Sequence, residues 1–383
     1  MQTESRRALR ALLVVALPAA SAWPQAAADA APGSFASAKT CATCHATIHT
    51  YWSESAHAQA ATRPAYLQGL AAVVDGAADK EATRKACLWC HAPTALVTGD
   101  YALERPLTRE GVTCDFCHAV ADVDLGKPGH PFELLPGDVK RGPLEYAKPT
   151  SHATEYSPLH RSSPLLCAAC HEYRNSHGAP VLTTYSDWKG SPYPERGMLC
   201  QECHMPLVPG GSVREGLPAS ERVINLHRMV GGSGEGQLRR GLDLRIESLT
   251  RTATTAQVEV RVTNVRVGHA VPGGLPTKRL VVALGVESAS GQLLHRRERV
   301  YKRDLIDERG RVLTETAELF LKAVKAGEDS RIRPKDSRTE RFTFPVPESA
   351  RAIVARLEYL DTSDPGKPTT TLVAEERREL PGR

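Results

Sequence analysis

The chain has 383 residues, of which 41% are hydrophobic and 24% charged, with a formal net charge of +5. That composition describes about two ordinary globular domains and excludes a disordered chain or a bundle of membrane spans. The basicity makes no case for nucleic acid: Gly241–Arg383 holds 26 Lys+Arg against 21 Asp+Glu, the whole net +5, while Ala31–Arg240 comes to −1.

Met1–Arg10 carries Arg6, Arg7 and Arg10, and Ala11–Ala20 follows as an apolar run too short to span a bilayer. With the alanine-rich stretch after it, this reads as a signal peptide over residues 1–30, cleaved between Ala28 and Ala31. Ser5-Arg6-Arg7 touches on a twin-arginine signal, but general secretion of an unfolded chain better suits the cysteine motifs downstream. No later stretch is apolar enough to be a transmembrane segment. The expected location is periplasmic or extracellular.

The next part is organised by one repeated word, Cys-x-x-Cys-His. It occurs at Cys41–Cys44–His45, Cys87–Cys90–His91, Cys114–Cys117–His118, Cys167–Cys170–His171 and Cys200–Cys203–His204, and it uses all ten cysteines. Two thiols spaced by two residues lie on one side of a helical turn, where they can add to two vinyl groups on one porphyrin edge. The following histidine then reaches the iron, which is the pattern of covalent haem c attachment. Zinc does not require a histidine after every second cysteine, and disulfides do not require the two-residue gap. The expectation is five haem c groups with His45, His91, His118, His171 and His204 as proximal ligands.

Fourteen histidines leave nine outside these words, while methionines are scarce, with only Met198 and Met229 suitably placed. Low-potential bis-histidine iron is therefore expected over His/Met iron. His57, His152, His160, His177 and His227 are candidate distal ligands by their place beside the motifs. His130 reads equally as ligand or solvated residue. His49, four residues after His45 on an expected shared helix, reads as a stacking partner, and His295 as solvated.

Glu110-Gly111-Val112-Thr113-Cys114-Asp115-Phe116-Cys117-His118 resembles a motif of the multihaem cytochrome family related to the tetrahaem cytochrome of ammonia oxidisers. So do Arg141–Leu144, Ser151-His152, Tyr156–His160, Thr184–Trp188 and Cys200–Pro206. That family includes octahaem hydroxylamine oxidoreductase and tetrathionate-reducing relatives. The resemblance covers roughly Lys39 to Gly232. It implies a mostly helical or irregular fold with haems in stacked, edge-crossing pairs, and it strengthens His57, His152, His160, His177 and His227 as distal ligands. Five motifs, rather than four or eight, set this chain apart, so ligand pairings do not carry over.

The expected pentahaem domain spans residues 31–208, and residues 209–240 form a glycine- and proline-rich linker carrying His227. Residues 241–383 change character. Gln257–Thr263 alternates cleanly as a half-buried strand, and strand-like runs follow at Leu280–Val286, Leu293–Tyr301, Glu318–Ala323, Thr339–Pro345 and Ala352–Tyr359. An all-β, immunoglobulin-like sandwich without a disulfide is expected. Within it Val267–Gly274 places His269 among glycines and a proline. Similar Gly-His-x-x-Pro loops occur in β-domains fused to the same cytochrome family, which implies docking of His269 onto the haem half.

These readings favour an electron carrier between redox partner proteins, a quinol-side donor and a terminal acceptor, with docking through the β-domain. The alternative is an oxidoreductase acting on a small nitrogen or sulfur compound at one five-coordinate haem. Every motif keeps its histidine, unlike pentahaem nitrite reductase, whose catalytic haem has lysine there.

Overall fold

The computed structural model describes residues 34–209, 213, 223–231, 234–364 and 366–382. The expected signal peptide and much of the expected linker lie outside the described residues. Among the described residues no helix is long and apolar enough to cross a membrane.

The N-terminal half consists of short helices and two-stranded pairs. Only two helices exceed ten residues among those described. Pro64–Gly76 begins on a proline, whose missing N–H costs nothing in the first turn. Lys80–His91 is capped by Asp79, whose side chain accepts from the Ala82 N–H. Apolar side chains here gather in small clusters: Phe35, Phe116, Val120, Phe132 and Leu159 around the third motif, and Ala61, Leu88, Ala92 and Ala95 around the second.

The C-terminal half is built on two antiparallel sheets. Its strands are β1 (Leu242–Arg251), β2 (Thr255–Asn264), β3 (Lys278–Ser288), β4 (Leu293–Tyr301), β5 (Arg303–Ile306), β6 (Lys325–Asp329), β7 (Ser337–Pro345), β8 (Ala350–Asp361) and β9 (Thr369–Glu379). One sheet runs β7-β2-β1 and the other β4-β3-β8-β9, with β5 and β6 paired separately. On β2, Ala256, Val258, Val260 and Val262 are buried while the residues between them face outward. They share one core with Leu280, Val282, Leu284, Ile353 and Leu357 of the other sheet.

The run Glu318–Ala323, expected as a strand, is instead helical over Thr316–Leu321. Leu319 and Ala323 are both buried four residues apart, and Glu318 pairs with Lys322 at 2.9 Å across one turn. That spacing is helical, not alternating. The helix packs on Pro64–Gly76, so close that a Cβ on Gly76 would lie 2.7 Å from Leu321 Cδ1.

Polar contacts lock the two halves around this helix. Buried Asn175 donates to the Ala323 carbonyl at 2.8 Å, and its Oδ1 accepts from the His177 and Ala179 N–H groups. Arg303, also buried, donates to the carbonyls of Pro180 (2.6 Å) and Val181 (2.7 Å). Arg331 bridges Asp187 of the first half and Asp329 of the second, each at 2.8 Å. Ala179 and Val181 join Leu305, Leu313 and Leu319 in one apolar cluster beneath these bonds.

Candidate haem sites

In four of the five motifs both thiols and the histidine lie in one helix: Lys80–His91, Cys114–Ala119, Leu165–His171 and Cys200–His204. The first motif is split. Cys41 lies in helix Ala38–Ala42, whereas His45 caps the next, Ala46–Ser53. Carboxylates beside the third motif fix its approach. Glu110 accepts from Ser37 Oγ at 2.5 Å and the Ala38 N–H at 2.8 Å, and buried Asp115 takes the Ala36 N–H and the Lys140 ammonium, both at 2.5 Å.

All ten cysteines are free thiols. Thiols of different motifs are electrostatic neighbours: Cys41 of Cys114, Cys167 of Cys200, and Cys90 of Cys170. Cys117 and Cys170 share the third motif's apolar cluster. The motifs therefore neighbour one another in the order first, third, fourth, fifth, with the second beside the fourth. Burial pushes the Cys87 thiol up to about 11 and Cys117 up to about 12. Among the described residues no three His, Cys, Asp or Glu side chains converge on a bare-metal site.

The motif histidines are oriented from behind. Nδ1 of His45 faces the Val213 carbonyl. His91 faces that of Ala60 at 3.2 Å, His118 that of Arg141 at 2.5 Å, and His204 that of Val230 at 2.8 Å. A carbonyl on Nδ1 fixes the tautomer and leaves Nε2 free for iron. Partial burial, helped by neighbouring histidines, pushes His57 and His227 down to about 4. These rings are neutral at pH 7, the form that ligates.

The second histidines fall into groups. A metal–imidazole bond of about 2 Å on each side of one iron places ring centres roughly 6 Å apart. His57 and His171 are 6.2 Å apart and His45 and His152 are 6.3 Å apart, so both pairs fit a haem iron between them. His227 is partly buried with Nδ1 on the Asn225 carbonyl at 2.7 Å, and His118 and His45 are its electrostatic neighbours. His269 is partly buried with Nδ1 on the Ala270 carbonyl at 3.0 Å, and His204 is an electrostatic neighbour. Its loop, which contains a cis Val271–Pro272 bond, runs against Trp188 and Tyr193.

Two candidates are differently placed. The His160 ring lies parallel to His118 at 5.6 Å, but its Nε2 donates to the Cys117 carbonyl at 2.8 Å and its Nδ1 meets Ser157 Oγ. His177 is exposed, and its Nε2 donates to the Leu321 carbonyl at 3.1 Å, joining the two halves. His130 stacks on Phe132, and His49 packs against Trp52 at 5.5 Å with the rings tilted by 48°. The helix after the first motif ends at Ser53, so His57 lies in the turns beyond it.

Against His91 stands a tyrosine. The Tyr66 ring stacks on it at 3.9 Å, and its buried hydroxyl has no partner. Nothing in the spacing of Tyr66 marked it. Trp89 Nε1 and Thr113 Oγ1 are also buried and unpartnered beside motifs, donors suited to a group that brings its own acceptors.

Residues 40–119 match the family model of cytochrome c554 and c-prime. A pentahaem cytochrome c552 from Thermochromatium tepidum superposes with a TM-score of 0.73 at 22% identity, over 91% of this chain and 100% of that one. The two findings support a multihaem cytochrome c. No curated protein matches the chain. A β-glucosidase from Kluyveromyces marxianus aligns over 37% of this chain and 14% of its own, at 10% identity and a TM-score of 0.18, a likeness too slight to bear on function. Thioether-forming cysteines and neutral, oriented imidazoles fit haem c at the motifs.

Proposed function

We propose that the chain is an exported pentahaem electron carrier, working in the periplasm or outside the cell between a donor on the quinol side and a terminal acceptor. When bound, the haems supply one-electron chemistry; the chain sets their spacing, axial ligands and burial. The observation that supports the reading is that cysteines of all five motifs neighbour those of another motif, so that haems on them would lie close together. Residues 31–208 form the haem domain and residues 209–240 the linker. Residues 241–383 form an immunoglobulin-like module that docks on the haem domain and supplies His269.

In this reading His152 stands opposite His45, His227 opposite His118, His57 opposite His171 and His269 opposite His204. His160 and His177 hold structure instead, because their Nε2 atoms are engaged by carbonyls. The test is an EPR spectrum of the ferric protein with His57→Ala, His227→Ala and His269→Ala. Each variant is expected to convert one haem from low to high spin. Unchanged spectra in all three would refute the assignments.

One observation favours a second reading at one site. Among the described residues no histidine ring stands against His91, which faces Tyr66 instead. An open iron there would suit a small nitrogen or sulfur compound, in an oxidoreductase using the other haems as a reservoir. A high-spin signal in the wild-type protein that changes with nitrite, hydroxylamine or tetrathionate would establish this reading over the simple relay.

A further inference from the structure

Neighbouring residues of the segment between the two halves touch two of the proposed haem sites. His227, at the start of this run, has His118 and His45 as electrostatic neighbours. Arg228 pairs with Glu54 at 3.0 Å, fastening the strap to the end of the helix that follows the first motif. The Met229 sulfur lies 2.8 Å from Nδ1 of His57. The Val230 carbonyl lies 2.8 Å from Nδ1 of His204. Met229 is held at φ +44°, a backbone region that non-glycine residues rarely adopt, so its place is dictated by these contacts on either side.

The acceptor at His57 is unlike those at its counterparts. His45, His91, His118, His204, His152, His227 and His269 each present Nδ1 to a backbone carbonyl. His57 presents it to a thioether, a much weaker acceptor. A carbonyl draws the Nδ1 proton and makes Nε2 a stronger donor to iron, which favours the ferric state. Sulfur does so less, while still fixing which nitrogen faces His171.

We propose that Met229 is a positioning residue for the haem held by His171 and His57. Its sulfur aims Nε2 of His57 at the iron and, as a weak acceptor, keeps that haem at a higher potential than a carbonyl in the same place would. The inference rests on the reading of His57 as the second ligand of that haem. The strap thereby makes one haem in the path distinct from its neighbours, through a residue that touches no iron.

The test uses the full-length holo-protein with Met229→Gln, Met229→Leu and His57→Ala, each checked by mass for five haems. Midpoint potentials are read by EPR-monitored titration. Met229→Gln supplies an amide oxygen and is expected to lower one potential of the five. Met229→Leu keeps the bulk but removes the acceptor, and is expected to raise that same potential and alter that haem's g values while leaving it low-spin. Shifts in the same direction in both variants, or in neither, overturn the proposal, as does a high-spin haem in both, which would make sulfur the ligand. If His57→Ala leaves every haem low-spin, the ligand reading fails. If it frees one iron while both Met229 variants are silent, only the role of Met229 fails.

Discussion

Gly111 is where a single methyl group would reach His57, a proposed haem ligand, through the backbone. Its φ of +72° and ψ of −133° belong to a region used almost solely by glycine, and a side chain held there costs about 1–3 kcal/mol. An added Cβ would also sit 2.4 Å from the His57 carbonyl oxygen and 3.1 Å from the Ala60 nitrogen, both backbone atoms that cannot rotate aside. Relieving that overlap requires a backbone shift of the overpacking kind, about another 1–3 kcal/mol. The shift must break the Val112 N–H bond to the His57 carbonyl, 3.0 Å long, and so move the imidazole. Gly111→Ala is therefore expected to lose roughly 2–6 kcal/mol of stability and to perturb one haem selectively. The assay is thermal unfolding followed in the haem Soret band, with EPR of the ferric protein at low temperature. A variant with wild-type unfolding temperature and an unchanged set of low-spin signals would show that the backbone tie to His57 is not needed.

The contact between the halves is open to similar tests. Asn175→Ala leaves the Ala179 N–H and the Ala323 carbonyl without partners, at about 1–3 kcal/mol each, and should lower the unfolding temperature measured by calorimetry. Arg303→Met removes two buried, charge-assisted bonds worth about 1.5–3 kcal/mol each; limited proteolysis between the halves should then accelerate. Burial alone would raise the Asp329 carboxyl, but the Arg331 guanidinium against it overrides this and holds it below the ordinary 3.8. Arg303 adds to that pull, while Arg331 also faces Asp187, and Glu172 lies nearby. A depressed carboxyl contributes stability above its unfolded pKa and loses it as pH falls through the folded value. The cohesion of the halves should thus be constant near neutrality and weaken below about pH 4, and Arg331→Met should flatten that dependence in an acid-unfolding series.

The cysteine words were legible because their chemistry is local: the spacing alone puts two thiols and an imidazole on one turn. The strands whose buried faces alternate, such as β2, were legible for the same reason. The edge strands β1 and β9 were not, although the edge strands β4 and β7 were expected. β9 reads Thr-Thr-Thr-Leu-Val-Ala followed by charges, with Val373 its only buried residue, and pairing to β8 decides its conformation. Glu318–Ala323 misled because six residues hold too little periodicity to separate a strand from a helix. Distal ligands were legible only as candidates, since sequence counts imidazoles but not the direction of Nε2. His160 and His177 show the difference: each lies in the expected neighbourhood, yet each turns Nε2 to a backbone carbonyl. Tyr66 left no signal in the sequence and Met229 appeared there only as a possible iron ligand, because their roles come from contacts between distant segments.

The proposed relay requires five closely spaced haems to share electrons within the molecule. The decisive measurement injects less than one electron per molecule, by pulse radiolysis or flash photoreduction, and follows the haem bands in time. The electron is expected to redistribute until all haems are occupied according to their potentials, at a rate independent of protein concentration. Redistribution that scales with concentration, or a haem that fills only through slow exchange between molecules, would contradict a single path.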